Sequence, residues 1–99
     1  MMTQTSSNEI TLKDAIEKML HTYKLKGKVY EAQIVQAWAR IVGSQIEKQT
    51  YNIYLKNNKL FIKIGSAAIK HELSYARTKI RDRVNEELGA NVVEEVILL

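Results

Sequence analysis

Lys70, Arg77 and Arg81 are the first residues in this sequence with chemistry to offer. They fall along one edge of an apolar stripe, Ile69, Leu73, Ala76, Ile80, Val84 and Leu88, whose spacings of three and four fit one long helix over 66–88. No acidic residue stands three or four positions from any of these cations, and those are the intervals at which helical side chains neutralise one another. They are left for an external anion, and a nucleic-acid phosphate is the expected one. On the other edge, Lys79 and Arg83 lie within reach of Asp82, Glu86 and Glu87 and read as intrahelical partners.

A second basic set sits in a stretch of period two. Tyr51, Ile53 and Leu55 alternate with Asn52, Tyr54 and Lys56, and Leu60, Ile62 and Ile64 alternate with Lys59, Phe61 and Lys63. Asn57 and Asn58 tolerate the positive backbone angles of a tight hairpin turn. If they are the whole turn, Lys56 faces Lys59, Leu55 faces Leu60, Tyr54 faces Phe61 and Ile53 faces Ile62. The set from Tyr51 to Ile64 that includes the aliphatic residues then forms the core face. The other face carries a Tyr54 and Phe61 pair flanked by Lys56, Lys59 and Lys63. Rings for base stacking and cations for phosphates are what a single-stranded nucleic-acid groove requires. The competing reading is that a helix or a partner subunit covers the pair.

Catalytic patterns are absent. His21 and His71 lie on different expected helices, and His71-Glu72 begins like a zinc-protease motif but has Tyr75 where the second histidine belongs. Ser66 and Lys70 have the wrong interval for a serine–lysine pair, and Gly27, Gly43, Gly65 and Gly89 are too scattered for a phosphate loop. With no cysteine, thiolate nucleophiles, thiolate metal sites and disulfides are excluded. Acids such as Glu31 or Glu47 could meet a partner only through folding. The expectation is a protein without enzymatic activity, metal or cofactor.

Two helices are expected ahead of the hairpin. Thr11 and Asp14 mark a capped start, with Leu12, Ala15, Ile16, Met19, Leu20 and Tyr23 as the apolar face of a first helix. Gly27 ends that pattern within a short lysine-rich connection, Lys24 to Lys28. A second helix over 29–42 buries Ile34, Ala37, Trp38, Ile41 and Val42 and stops at Gly43, with Trp38 as a core anchor. Ser44 to Gln49 adds a further helical turn. Ser66 caps the long helix and Gly89 stops it. Val92 to Leu99 reads as a third strand beside the hairpin, whose unprotected edge suits pairing with another copy and hence a homo-oligomer. The fold class is α+β, in the order α-α-β-β-α-β, with a three-stranded sheet packed against helices.

The chain has 99 residues, 45% apolar and 26% charged, which suits one core rather than two. Residues 1–10 are expected to be disordered and 11–99 to form a single domain. No apolar run approaches the roughly 20 residues of a membrane span, and no secretion signal opens the chain, so a cytoplasmic protein without membrane contact is expected. The net charge of +4 is unevenly spread: Tyr51 to Arg83 holds eight basic and two acidic residues, and Val84 to Leu99 none and four. These segments either attract each other within the fold or leave the basic one for an anionic partner.

Several motifs resemble one family. Trp38, Ala39, Arg40, Ile41, Val42 and Gly43 are similar to its tryptophan-to-glycine helix end. Ile46 and Gln49-Thr50 follow where it has an apolar residue and a histidine–threonine pair. Leu60, Ile62, Ile64, Ser66, Ala67, Ala68, Glu72 and Leu73 resemble its strand and serine–alanine helix start, and Leu88, Gly89, Val93 and Ile97 its closing segment. Over Ile34 to Ile97 the chain thus resembles the DciA-like proteins, long catalogued as a domain of unknown function. The resemblance implies a bacterial KH-like α+β domain that binds DNA and the replicative DNA helicase and helps load that helicase at replication initiation. Gln49 and Ile69 stand where histidine and an aromatic are more usual, and the chain ends at Leu99 where better-understood members continue into a flexible tail that contacts DNA and helicase. KH readers present a Gly-x-x-Gly loop to phosphates; this sequence has none, so nucleic acid is expected on another surface. The alternative, from a different class, is a protein-interaction or self-associating module docking through the hairpin face or the C-terminal edge.

Overall fold

The computed structural model describes residues 11–99; the disorder expected for residues 1–10 lies outside them. Helix α1, Leu12–Val42, is 31 residues long. The Thr11 hydroxyl accepts from the Asp14 N–H at 3.1 Å, and Gly43, at φ 94°, ends the helix. The two helices and the Lys24 to Lys28 connection expected from the sequence are this one helix. Glycine costs a helix interior roughly 1 kcal/mol relative to alanine, but Lys24, Leu25, Lys26 and Lys28 are strong helix formers around it. Gly27 is not among the glycines with positive φ, so the helix runs through it.

After the single turn α2, Ser44–Lys48, come β1, Thr50–Lys56, and β2, Lys59–Ile64, paired antiparallel through Asn57 and Asn58 at φ 52° and 64°. Both turn residues are left-handed, as a two-residue hairpin turn matched to strand twist requires. Lys56 faces Lys59, Leu55 faces Leu60, Tyr54 faces Phe61 and Ile53 faces Ile62, as the alternation implies. β3, Glu95–Leu98, lies parallel to β2, giving the order β1-β2-β3.

Between the hairpin and β3 the chain forms two helices rather than one, α3, Ala67–Ser74, and α4, Arg77–Leu88. The observed order is therefore α-α-β-β-α-α-β. The last turn of α3 tightens, with the Tyr75 and Ala76 N–H groups bonded to the carbonyls of Glu72 and Leu73, three residues back. A straight helix over 66–88 would run about 34 Å, well beyond the roughly 20 Å of β2. The break lets Leu73 on one helix and Ile80 and Val84 on the other enter the same core.

That core joins Ile34 and Trp38 of α1, Leu60, Ile62 and Ile64 of β2, Leu73, Ile80 and Val84, and Val93 and Val96. Each fully buried aliphatic side chain contributes about 1.5–3 kcal/mol. Trp38 is buried, and its Nε1–H donates at 2.9 Å to Thr50 Oγ1, which in turn donates to the Ile46 carbonyl. The helices gather on the Leu60, Ile62 and Ile64 face of the sheet. Tyr54 and Phe61 lie on the opposite, outer face.

Candidate nucleic-acid interface

Alternation on the hairpin brings the outer-face residues together. The Tyr54 and Phe61 rings stack with centroids 4.9 Å apart and planes 10° from parallel. Both are half-buried and neither belongs to the core cluster. Register places Ile97 of β3 beside Phe61, and Asn52 opposite Lys63. Lys56, Lys59 and Lys63 are exposed, and among the described residues none of them is in an ion pair. Lys56 faces Lys59 across the hairpin, a like-charge pair that costs stability until an anion or solvent screens it. Glu95, on the other side of Lys59, offsets part of that charge.

Tyr51 departs from the sequence expectation. Strict alternation assigns it to the core face, yet it is 70% exposed. The pairing register shifts between Thr50 and Asn52, so one extra residue of β1 is accommodated opposite β2. Such a bulge turns two consecutive side chains to the same side, which places Tyr51 with Asn52 on the outer face. Its ring lies across Gly65, where a Cβ would come within 2.5 Å of it. The outer face therefore offers a third aromatic. Thr50, the inward-facing hydrogen-bond partner of Trp38, is the signal that strict alternation could not continue.

The helical cations are arranged less favourably than the sequence suggests. Lys70 is exposed on α3, while Arg77 and Arg81 are on α4, so the break at Tyr75 and Ala76 divides the expected single edge. Arg81 is not free: its guanidinium pairs with the adjacent Asp82 at 3.0 Å, an interval outside the three-and-four rule. Arg77 and Arg81 also line a small groove together with Glu94 and Glu95 at the start of β3. No ion pair closes that groove among the described residues, but its carboxylates lower its attraction for a polyanion. Lys79 has no ion pair among the described residues either; Arg83 meets Glu86 at 3.9 Å, and Glu87 is taken by Arg40. Arg40 grips Glu87 through two hydrogen bonds of 3.1 and 2.8 Å, holding the carboxyl below its usual range and raising the guanidinium's own value. This pair ties α1 to α4.

Glu31 and Glu47 do not meet to form an acid–base site. The Glu31 carboxylate instead accepts from the Leu55 backbone N–H at 2.9 Å, covering part of the free edge of β1. His71 packs edge-on against Tyr75, and His21 is exposed on α1. Among the described residues, no three side chains of metal-ligating type come together. No helix of the described residues is long and apolar enough to cross a membrane.

The residues that carried the family resemblance meet as a structural set: Trp38 and Thr50 at one end of the core, Ser66 capping α3 through the Ile69 N–H, and Gly89 left-handed at the end of α4. A family model described as Dna(CI) antecedent, DciA, matches residues 11–98. No curated protein matches the chain. With the match running from the Thr11 cap to the last residue of β3, the chain belongs to the DciA family.

Proposed function

We propose that this protein is a non-enzymatic nucleic-acid-binding domain that takes single-stranded DNA on the outer face of its sheet and acts with the replicative helicase during loading at replication initiation. The helicase role and the cytoplasmic setting rest on family membership. The nucleic-acid surface rests on one observation: the stacked Tyr54 and Phe61 rings stand beside Lys56, Lys59 and Lys63, which form no ion pair among the described residues, with Glu95 across from Lys59 alone. Splayed bases stack on the rings and phosphates lie along the lysines, a mode with little base preference and strong salt sensitivity. Tyr51 extends the ring surface. Lys70 supplies a further phosphate contact, and Arg77 and Arg81 contribute less because of Asp82, Glu94 and Glu95.

Fluorescence anisotropy with single- and double-stranded oligonucleotides at two salt concentrations tests this reading. Single strands are expected to bind more tightly. Replacing Lys56, Lys59 and Lys63 by glutamine is expected to reduce the slope of log affinity against log salt by about 2; the same change at Lys70, Arg77 and Arg81 is expected to reduce it less. An unchanged slope in the hairpin variant defeats the proposed surface. The second reading, a protein-interaction module, is favoured by β3, which has a single neighbour in the sheet. It predicts oligomers and no oligonucleotide binding in the same titrations.

A further inference from the structure

One apolar stripe runs the length of α1, from Leu12 through Ile16, Met19, Leu20 and Tyr23, past Gly27, to Tyr30, Ile34 and Trp38. Its inner half is buried on the sheet. Among the described residues its outer half meets the rest of the domain only at Tyr23, whose hydroxyl donates to Asn58 Oδ1 in the hairpin turn, and every residue from 11 to 26 is exposed, Leu12 at 77% and Met19 at 69%. The helix overhangs the domain by about 22 Å, which gives the molecule its 61 × 23 × 19 Å extents. The overhang carries Lys13, Asp14, Glu17 and Lys18 toward its free end, a set without net charge in which Lys13 pairs with Glu17 at 4.0 Å, and Lys24, Lys26 and Lys28 toward the base. At the base a cleft of about 480 Å³ opens between α1, the hairpin turn and Val92, lined by Tyr23, Gly27, Tyr30 and Leu55 among others. No atom lies within 4 Å of where a Gly27 Cβ would be, so the stripe is notched at that point.

We propose that this surface is an interface between two copies of the chain, packed antiparallel through the outer halves of α1. Charge selects the orientation. Antiparallel packing sets the neutral free end of each arm against the basic base of the other, with Glu17 level with Lys24 and Lys13 level with Lys28 of the second copy, whereas parallel packing sets all three basal lysines against their own copies. Pairing Glu17 with Lys24 puts the two-fold axis between Leu20 and His21. Leu12 then comes level with Val29 of the second copy and Ile16 with Leu25, so each arm tip ends beside the other's notch and cleft. A two-fold, self-complementary contact of this kind closes at a dimer. Five stripe side chains per copy, at about 100 Å² each, cover on the order of 1,000 Å² in total, near the lower limit for a specific interface. A contact of this size suits a reversible dimer rather than an obligate one. The proposal is independent of the nucleic-acid reading.

Sedimentation velocity of the full chain without nucleic acid, from micromolar to millimolar concentration, is expected to show a monomer–dimer equilibrium. Met19→Glu with Leu20→Glu, both on exposed positions, is expected to weaken association at least tenfold while leaving the thermal melting of the core unchanged. Glu17→Lys and Lys24→Glu are each expected to weaken the dimer, and the double exchange to restore it. Because the chain has no native cysteine, the orientation can be read by oxidation: Leu20→Cys, beside the axis, is expected to cross-link to its own copy, and Leu12→Cys is not. A monomer throughout, a dimer indifferent to the Met19 and Leu20 changes, or cross-linking through Leu12→Cys each overturns the proposal.

Discussion

At Gly65 a hydrogen atom stands where any other residue would drive a Cβ to within 2.5 Å of the Tyr51 ring. That ring is largely exposed and can swing aside, so Gly65→Ala is expected to change the melting temperature little. The displaced ring no longer extends the Tyr54 and Phe61 surface. Oligonucleotide affinity in Gly65→Ala is therefore expected to fall as far as in Tyr51→Ala, by roughly 1 kcal/mol or more, in an anisotropy titration; full affinity in both variants removes Tyr51 from the surface. Glu87 gives a prediction in pH. Its carboxyl is held below its ordinary value chiefly by the hydrogen bonds from Arg40. The stability this contributes is present above the ordinary glutamate value of about 4.3 and is lost as pH falls through the lowered folded-state value. Thermal melts of the native chain and Arg40→Gln are expected to differ at neutral pH and to converge on acidification. A constant gap across that range excludes the linkage.

Among the elements, the connection from α4 to β3 is held by backbone hydrogen bonds, by the buried Val93 and by the side chain of Asn85. Asn85 Oδ1 accepts from the N–H groups of Val92 and Val93 at 3.1 and 2.8 Å, and its Nδ2 donates to the Val93 carbonyl at 2.9 Å. Removing it leaves the buried Val93 N–H unpaired, while the Val92 N–H keeps the Ala90 carbonyl at 3.0 Å, at a cost of about 1–3 kcal/mol. Asn85→Ala is expected to lower the melting temperature by about 10 °C, on a scale of roughly 4–8 °C per kcal/mol for a domain of this size. A shift below about 2 °C would show that water replaces the clamp. Asn85 carries no signal in the sequence, because an asparagine that bonds backbone across a turn has no periodicity to betray it. What could be read there followed from local rules: the Asn57-Asn58 hairpin and its register, the caps at Thr11 and Ser66, the left-handed stop at Gly89, and Trp38 in the core. What escaped depended on the rest of the molecule. Gly27 reads as a stop, but a modest local cost does not end a helix whose neighbours favour it. The break at Tyr75 and Ala76 carries no proline or glycine and follows from the length of the strand beneath. Strict alternation points Tyr51 inward, a period that the bulge interrupts, and the partner of Arg81 is its own neighbour, Asp82.

For the molecule as a whole, a Cα radius of gyration of 18.3 Å stands well above the roughly 12–13 Å of a compact domain of this length. The excess is the overhang of α1. Its outer half makes no contribution to the core and depends on intrinsic propensity, which for fewer than about 12–15 residues in water is marginal. The inner half is fastened by Ile34 and Trp38 and shares the stability of the domain. Hydrogen–deuterium exchange is therefore expected to divide α1 in two, with amides before Tyr23 exchanging within seconds in dilute solution and those after Tyr30 only on global opening. Uniform protection along the helix in dilute solution contradicts this division. A second copy lying along the overhang slows the fast class, so protection of residues 12–22 rises with protein concentration. The outer half of α1 then acts as a concentration gauge: a segment that melts when the protein is scarce and firms when it accumulates, while the outer face of the sheet is the same in both conditions.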